Sequence, residues 1–313
     1  LGTVELLNIS SISTGITENW IIEGNPKSAI GLSLVALLIV FGLIIFEKFS
    51  RRKTKRWSEN PASKDSQGWK LENYRAFSAI IISLFPPIFS LGIPCFWIFM
   101  NIDQIQEGFN IELLTLALRT ISLGIIAALI TTIFSLILSL ANRQNKNLFL
   151  KFITYPAGIG YAIPGTILAL SLITISLTQL NFISICLLIW GYSIRFLTIS
   201  KGSIDSGLER ISPSLDEAAN GLGANWISII KKVHLPLLKG PIFVGSLLVF
   251  VDTIKELPIT FILRPFDFDT LSVRIYQYAG DERMAEAIVP AILITILGLI
   301  ASSTLIPSLE KKN

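Results

Sequence analysis

The sequence is poor in charge, histidine and cysteine, and each shortage excludes a class of protein. Charged residues make up only 15% of the 313 residues, whereas hydrophobic residues make up 51%. In water such a chain would expose large apolar patches, so we expect a polytopic membrane protein. The one histidine cannot build a multi-histidine metal site, and Cys95 and Cys186 form neither a CxxC pair nor a disulfide framework. We therefore predict no metal site.

Catalytic motifs are missing as well. The chain contains no Gly-Lys pair, and so it lacks the phosphate-binding loop G-x-x-x-x-G-K-[ST]. It also lacks H-E-x-x-H and a serine–histidine pair at membrane depth. We predict that the chain is not an enzyme, has no catalytic residue and binds no cofactor, with a membrane-embedded enzyme as the alternative.

Long apolar runs are what the chain does have. A membrane helix needs about 20 mostly apolar residues, and the stretches that qualify predict an all-α polytopic protein with about seven transmembrane helices. They lie at 29–46, 76–100, 114–141, 153–177, 180–200, 241–263 and 286–307. Because the second contains Pro86, Pro87 and Pro94, we expect it to be kinked or broken.

The basic residues of the loops predict an orientation. Successive loops of a membrane protein lie on alternate sides of the membrane. On one side the loops contain only four of the 26 Lys and Arg residues of the chain. These four are Lys27, Arg264, Arg274 and Arg283. Because basic loops stay in the cytoplasm, we expect the N-terminus outside a bacterial inner membrane and the C-terminus inside.

The densest basic run, at 51–56, directly follows an apolar stretch. We interpret it as a topology anchor beside anionic membrane lipid. A nucleic-acid patch is the alternative, which we set aside because the run lacks interleaved aromatic residues and a binding fold. We therefore expect no nucleic-acid partner.

A polar linker at 47–75 divides the chain. A weak repeat relates the segment from Gly2 to the first apolar run with the segment from Asp269 to the last one. If this repeat is real, 1–46 is the end of a preceding homologous half with its last transmembrane helix, and 76–313 is a six-helix unit. Repeats of this kind are common in transporters, and Leu1 in place of methionine fits the same expectation.

The loop at 201–240 is long enough to have its own structure. Ser212 and Pro213 predict a helix start, and an apolar stripe at helical spacing follows. Gly223 permits a sharp turn. We expect a second short helix that ends at Leu235-Pro236, because proline cannot continue it. The exposed stripe is typical of a helix that docks into a groove on a partner.

The residues of this loop resemble the EAA loop of ABC-transporter permeases. The matching residues are Glu217, Ala218, Ala219, Gly223, Val233, Leu235 and Pro236, with valine where the family usually has isoleucine. The resemblance implies a type I importer permease unit of six helices, plus one preceding helix in this chain. It also implies a coupling helix that docks on a separate subunit, which hydrolyses ATP and is present in two copies.

The same resemblance implies roles for these residues. Glu217 would supply polar docking chemistry, the two alanines would allow close packing, and Gly223 would supply the turn. His234 is expected to be part of the docking surface. An amphipathic helix resting on the membrane surface, or a secondary transporter, is the alternative.

Further residues are similar to the ferric-iron branch of these permeases. They are the runs 161–166, 195–197, 255–258, 263–266, 268–271 and 281–283. The resemblance implies ferric iron as cargo, a periplasmic ferric-binding protein as partner, and a second homologous permease half, often fused in one polypeptide. Sulfate, molybdate, spermidine or thiamine is the alternative cargo.

Charged residues within the apolar run 241–263 are functional candidates by default. Asp252 and Glu256 are expected to share a helix face, and Lys255 can pair with Asp252. Two interpretations stay open: this face lines the translocation path, or the cluster only fixes helix packing. Arg119 and Arg195 are expected to extend to a membrane interface.

The outward loop after the sixth apolar run carries oxygen-bearing side chains. Tyr276, Tyr278, Asp281 and Glu282 could offer the oxygen ligands that ferric ions prefer. The alternative is that this loop only contacts the binding protein, and the sequence favours the alternative.

Overall fold

Helices form all the regular structure in the part of the chain that the structure describes. The structure is a computed structural model. It describes residues 9–51, 71–102, 111–144, 154, 156–175 and 181–305, and no strand occurs in these ranges. In chain order the α-helices are α1 (Ile12–Thr17), α2 (Pro26–Arg51), α3 (Tyr74–Met100), α4 (Ile111–Gln144), α5 (Gly165–Ile175), α6 (Asn181–Glu209), α7 (Pro213–Gly221), α8 (Trp226–Ile229), α9 (Leu235–Ile254), α10 (Pro258–Leu263), α11 (Leu271–Gly280) and α12 (Met284–Ser303). The all-α prediction is confirmed.

Within the described ranges, six helical spans are long and apolar enough to cross a membrane. They lie in α2, α3, α4, α6, the continuous run Trp226–Ile254 and α12. The remaining expected stretch, 153–177, contains two 3₁₀ turns, Pro156–Gly158 and Gly160–Ala162, followed by α5. With 11 residues, α5 is about 17 Å long and too short to span the hydrocarbon core alone.

The α3 helix is continuous, so of the two expected effects of its prolines, a kink or a break, the break does not occur. Pro86, Pro87 and Pro94 all lie inside the helix, which extends unbroken from Tyr74 to Met100. Each proline removes one backbone donor, but the bonds of the neighbouring turns hold the helix in an apolar environment. All residues of α3 are described and none is buried, so its apolar surface faces lipid or another chain.

The centre of the molecule is a bundle of α4, α6 and α9. Leu188, Tyr192 and Phe196 recur every four residues along α6 and are almost fully buried in a core that also contains residues of α4, α5, α9 and α10. Gly124 lets α4 approach α9 closely, because a Cβ atom there would lie 2.9 Å from the Phe250 ring. The side chain of Tyr192 also bonds to Thr260 (2.6 Å), which connects α6 to α10.

Two similar helix pairs flank this bundle, each a short helix followed by a long apolar one. In the first pair, Ile16 of α1 and Ala29 of α2 belong to one apolar cluster with Ile167 and Leu170 of α5. In the second, α11 and α12 pack on α4 through Leu271 and Val289. The division of the chain into a preceding half, a linker and a six-helix unit stays a prediction, and most of the 47–75 linker, the basic run after Arg51 and the first repeat segment lie outside the described residues.

Candidate functional site

A helix–turn–helix lies between the two bundle helices α6 and α9. Its first helix, α7, starts where the sequence predicts, with Pro213 in its first turn and the Ser212 hydroxyl accepting from the Ser214 backbone N–H (3.3 Å). The chain turns at Gly223, whose φ of +79° lies in the left-handed region that disfavours side chains. The α8 helix follows, capped by Asn225.

The α7 helix and its turn present exposed apolar and acidic side chains. Glu217, Ala218 and Gly223 are exposed and Ala219 is half-buried. Leu222 is 89% exposed, an unusual position for a leucine. The other motif residues lie on the next helix, where Val233 and Leu235 are half-buried and Pro236 is exposed. An exposed apolar surface of this kind is typical of an interaction site.

The second helix of this unit does not end at Leu235-Pro236, and that expectation is wrong. A π-helical turn, Ile230–His234, joins α8 to α9 in one continuous helix from Trp226 to Ile254. The N–H of Leu235 bonds to the carbonyl of Ile230, five residues back. This wider turn places Pro236 in the first turn of α9, where a missing N–H costs little.

The side chain of His234 is buried, so its expected place on the docking surface is also wrong. It is fully shielded from solvent, and its ring lies edge-on against Trp226 with the ring centres 5.4 Å apart. Its Nε2 lies 2.7 Å from Asp216 Oδ1, and because an ionised carboxylate only accepts, Nε2 donates. His234 thus supports α7 from inside the molecule.

Arg143, at the end of α4, completes this cluster. Its Nε donates to Asp216 Oδ2 (2.8 Å), and its Nη1 and Nη2 donate to the carbonyls of Leu208 (2.8 Å) and Ile211 (3.0 Å). Partial burial raises the pKa of Asp216. The hydrogen bonds and charges of His234 and Arg143 together lower it by more than burial raises it, so the pKa lies below its ordinary value. Sequence reasoning missed Asp216 and Arg143.

The charged residues near the end of α9 are arranged differently from the expectation. Lys255 Nζ does pair with Asp252 Oδ1 at 2.8 Å, as predicted. However, α9 ends at Ile254, and Glu256 lies in the break before α10. Asp252 and Glu256 therefore do not share a helix face, because the backbone changes direction between them.

The sequence suggested that Arg195 extends to a membrane interface, but its side chain instead pairs with Glu256 within the fold. Its Nε lies 3.8 Å from Glu256 Oε2, and its guanidinium lies over the Tyr161 ring at 5.9 Å. A Cβ atom at Gly165 would contact both charged groups, so the glycine makes room for the pair. Arg195 of α6 thereby connects two helix breaks: the turns before α5 and the break between α9 and α10.

The segment from α10 to the end of α11, with the residues just after it, forms a cavity of about 570 Å³. Tyr276, Tyr278 and Asp281 line it, together with Arg264, Arg274 and Arg283, whereas Glu282 is not part of the lining. Burial, together with the positive charge of Arg274, lowers the pKa of Arg264. The guanidinium groups of Arg274 and Arg283 lie 5.7 and 4.9 Å from the centre of the Tyr278 ring, and their positive charge opposes a ferric ion at this phenol. The alternative, contact with the binding protein, stays a prediction.

These features define a multi-pass α-helical membrane protein with an exposed helix–turn–helix at one end and charged residues at its helix breaks. Residues 136–312 match the family described as the binding-protein-dependent transport system inner membrane component. The chain belongs to that family.

Two curated relatives come from Haemophilus influenzae. The Fe(3+)-transport system permease protein FbpB 2 is 25% identical over 94% of this chain. The chain spans 60% of the length of that relative. The spermidine/putrescine transport system permease protein PotC is 23% identical over 63% of this chain and 77% of its own length.

The fold also occurs in a solved structure. A bacterial ABC transporter involved in the import of the acidic polysaccharide alginate aligns with 73% of this chain and 94% of its own, with a TM-score of 0.59. At 16% identity this similarity concerns the fold alone.

Proposed function

We propose that this chain is the membrane-spanning permease part of an ATP-driven importer that receives its substrate from a periplasmic binding protein. The observation that carries the proposal is the exposed α7 helix with its EAA spacing, in a chain that belongs to this transport family. The chain itself has no ATPase site, and ATP is hydrolysed by two partner subunits. It binds no cofactor.

In this proposal the α7 helix and its turn are the docking element for the ATPase. Glu217 supplies polar contact, Ala218 and Ala219 allow close approach, and Gly223 supplies the turn between the helices. Val233, Leu235 and Pro236 lie on the helix that continues into the bundle, where they set the direction of the exposed segment.

Ferric iron is the cargo that the comparisons favour. The iron permease FbpB 2 aligns with 94% of the chain, whereas PotC aligns with 63%. A polyamine is the second candidate, since PotC is named a spermidine/putrescine permease. A periplasmic ferric-binding protein and a second homologous permease half complete the proposed assembly.

The translocation path in this proposal passes the two helix breaks that Arg195 connects. Irregular backbone at membrane depth is tolerated only where protein buries it or where it lines a cavity, and transporters commonly bind substrate at such breaks. Glu256 with Arg195, and Asp252 with Lys255, are the charged groups of this path. The N-terminus of the chain lies outside an inner membrane, and the coupling loop lies in the cytoplasm.

The test is transport by the whole gene product that contains this chain, reconstituted with its ATPase and binding protein. Glu217→Lys is expected to abolish ATP-dependent uptake of radiolabelled ferric iron without reducing membrane insertion. Glu209→Lys, an equal charge reversal at the exposed end of α6, is the matched control. Uptake in Glu217→Lys equal to that of the unmodified transporter would contradict the docking role, and uptake of labelled spermidine instead of iron would change the cargo.

A further inference from the structure

Four helical elements meet around Asp216 and its partner Arg143. Arg143 comes from the end of α4, and the carbonyls of Leu208 and Ile211 that it also binds lie at and just after the end of α6. Asp216 lies in the first turn of α7, and His234 lies in the π turn before α9. Asp216 therefore connects the exposed helix directly to α4 and to the turn before α9, and through Arg143 to the end of α6.

Both carboxylate oxygens of Asp216 are used. Oδ1 accepts from His234 at 2.7 Å, and Oδ2 accepts from Arg143 at 2.8 Å. The side chains are sheltered, with exposures of 18% for Asp216, 14% for Arg143 and 0% for His234. Sheltered, charge-assisted bonds of this length hold their partners more firmly than exposed pairs do.

The segments on either side of α7 are not helical. The chain leaves α6 at Glu209 and enters α7 at Pro213, and it turns between Gly221 and Trp226. Without a side-chain connection, a force on α7 would bend these two short segments. The bonds to Asp216 bypass them, while the next residue, Glu217, stays exposed on the outer surface.

We propose that Asp216, held by Arg143 and His234, is a positioning residue that fixes α7 to the ends of α4, α6 and α9, so that movement of α7 by the ATPase displaces these helices. This inference rests on the proposed function. It separates two tasks within one short helix: Glu217 contacts the ATPase, and Asp216 transmits its movement inward.

The experiment measures substrate uptake and ATP hydrolysis in the same proteoliposomes, with the whole transporter and its binding protein. The substrate is ferric iron or spermidine, whichever the unmodified transporter imports. Asp216→Ala and Arg143→Ala are each expected to lower the uptake per ATP hydrolysed by about five- to ten-fold. The ATPase should still co-purify with both variants. The double variant should be no worse than either single variant, because the two residues act as one unit.

The control is Asp205→Asn, which removes an ion pair with Lys201 that lies within α6 alone, and its uptake per ATP should be unchanged. If Asp216→Ala accumulates poorly, Asp216→Asn has nearly the same shape, keeps one acceptor oxygen, and should show a smaller loss of coupling. Unchanged uptake per ATP in the Asp216 variants, or loss of the ATPase from the complex, would overturn the proposal. Failure of the unmodified transporter to bind the ATPase would instead refute the proposed function.

Discussion

Replacing Arg195 by leucine tests whether its pairing with Glu256 holds the two helix breaks together. In the variant, Glu256 stays in place with its side chain only 8% exposed and without its cationic neighbour. At the observed Nε–Oε2 distance of 3.8 Å, the attraction between unit charges is about 4 kcal/mol at an effective dielectric constant of 20. Removing one partner of a buried pair typically costs about 3–5 kcal/mol, so the two magnitudes agree.

The reverse replacement, Glu256→Gln, should cost less. Glutamine keeps an oxygen that can accept from the Ile259 N–H, as Glu256 does now. Arg195 keeps one favourable neighbour in that variant, because its guanidinium still lies over the Tyr161 ring at 5.9 Å. The double variant Arg195→Leu with Glu256→Leu should recover part of the stability, because no charge is left without its partner.

The assay is thermal unfolding of the purified permease in lipid nanodiscs, with tryptophan emission as the measure of unfolding. The midpoint should fall most for Arg195→Leu, less for Glu256→Gln, and part of the loss should return in the double variant. Midpoints of both single variants within about 1 °C of the unmodified protein, which corresponds to well under 1 kcal/mol, would refute the reasoning. A double variant as unstable as Arg195→Leu would refute it equally.

Three further predictions concern other positions. Gly223→Asp is expected to abolish uptake without preventing membrane insertion, because it places a charged side chain on the exposed turn proposed to dock on the ATPase, at a φ of +79° that glycine adopts most easily; uptake assays and membrane fractionation check this. Gly124→Leu should lower the unfolding midpoint by the equivalent of about 1–3 kcal/mol, because its side chain would collide with Phe250. Gly298→Leu, on α12 with open space around it, is the matched control in the same unfolding assay. The lowered pKa of Asp216 stabilises the fold fully above its ordinary pKa of 3.8, and this contribution is lost as the pH falls through the lower folded value. The stability difference between the unmodified protein and Asp216→Asn should therefore disappear in an acid titration of unfolding, and a difference that persists at the lowest pH would contradict it.

Features that depend on neighbours in the chain could be predicted from the sequence. The apolar runs predicted the long helices, Ser212 and Pro213 predicted the start of α7, and Gly223 predicted the turn. Each depends on a few adjacent residues and on physical rules that act locally: hydrophobicity, capping and backbone sterics. The pairing of Lys255 with Asp252 is local in the same sense.

Features that depend on residues far apart in the chain could not be predicted from the sequence. Arg143 and Asp216 are far apart in the chain, and no spacing rule places them in contact. Arg195 was expected at an interface because it lies near the end of an apolar stretch, and its pairing with Glu256 requires the fold. The π turn before Leu235 was missed because proline usually ends a helix. Here the turn contains one extra residue, and the helix continues through Pro236.

The continuous helix from Trp226 to Ile254 has a mechanical consequence. Its 29 residues form a rod about 43 Å long, and tilting such a rod by about 5° about one end swings the other end by about 4 Å. That arc is as large as the 3.8 Å between Arg195 and Glu256, which lies just past the far end of the rod. Angular leverage alone can therefore convert a small tilt at the Trp226 end into a displacement large enough to separate these two charges.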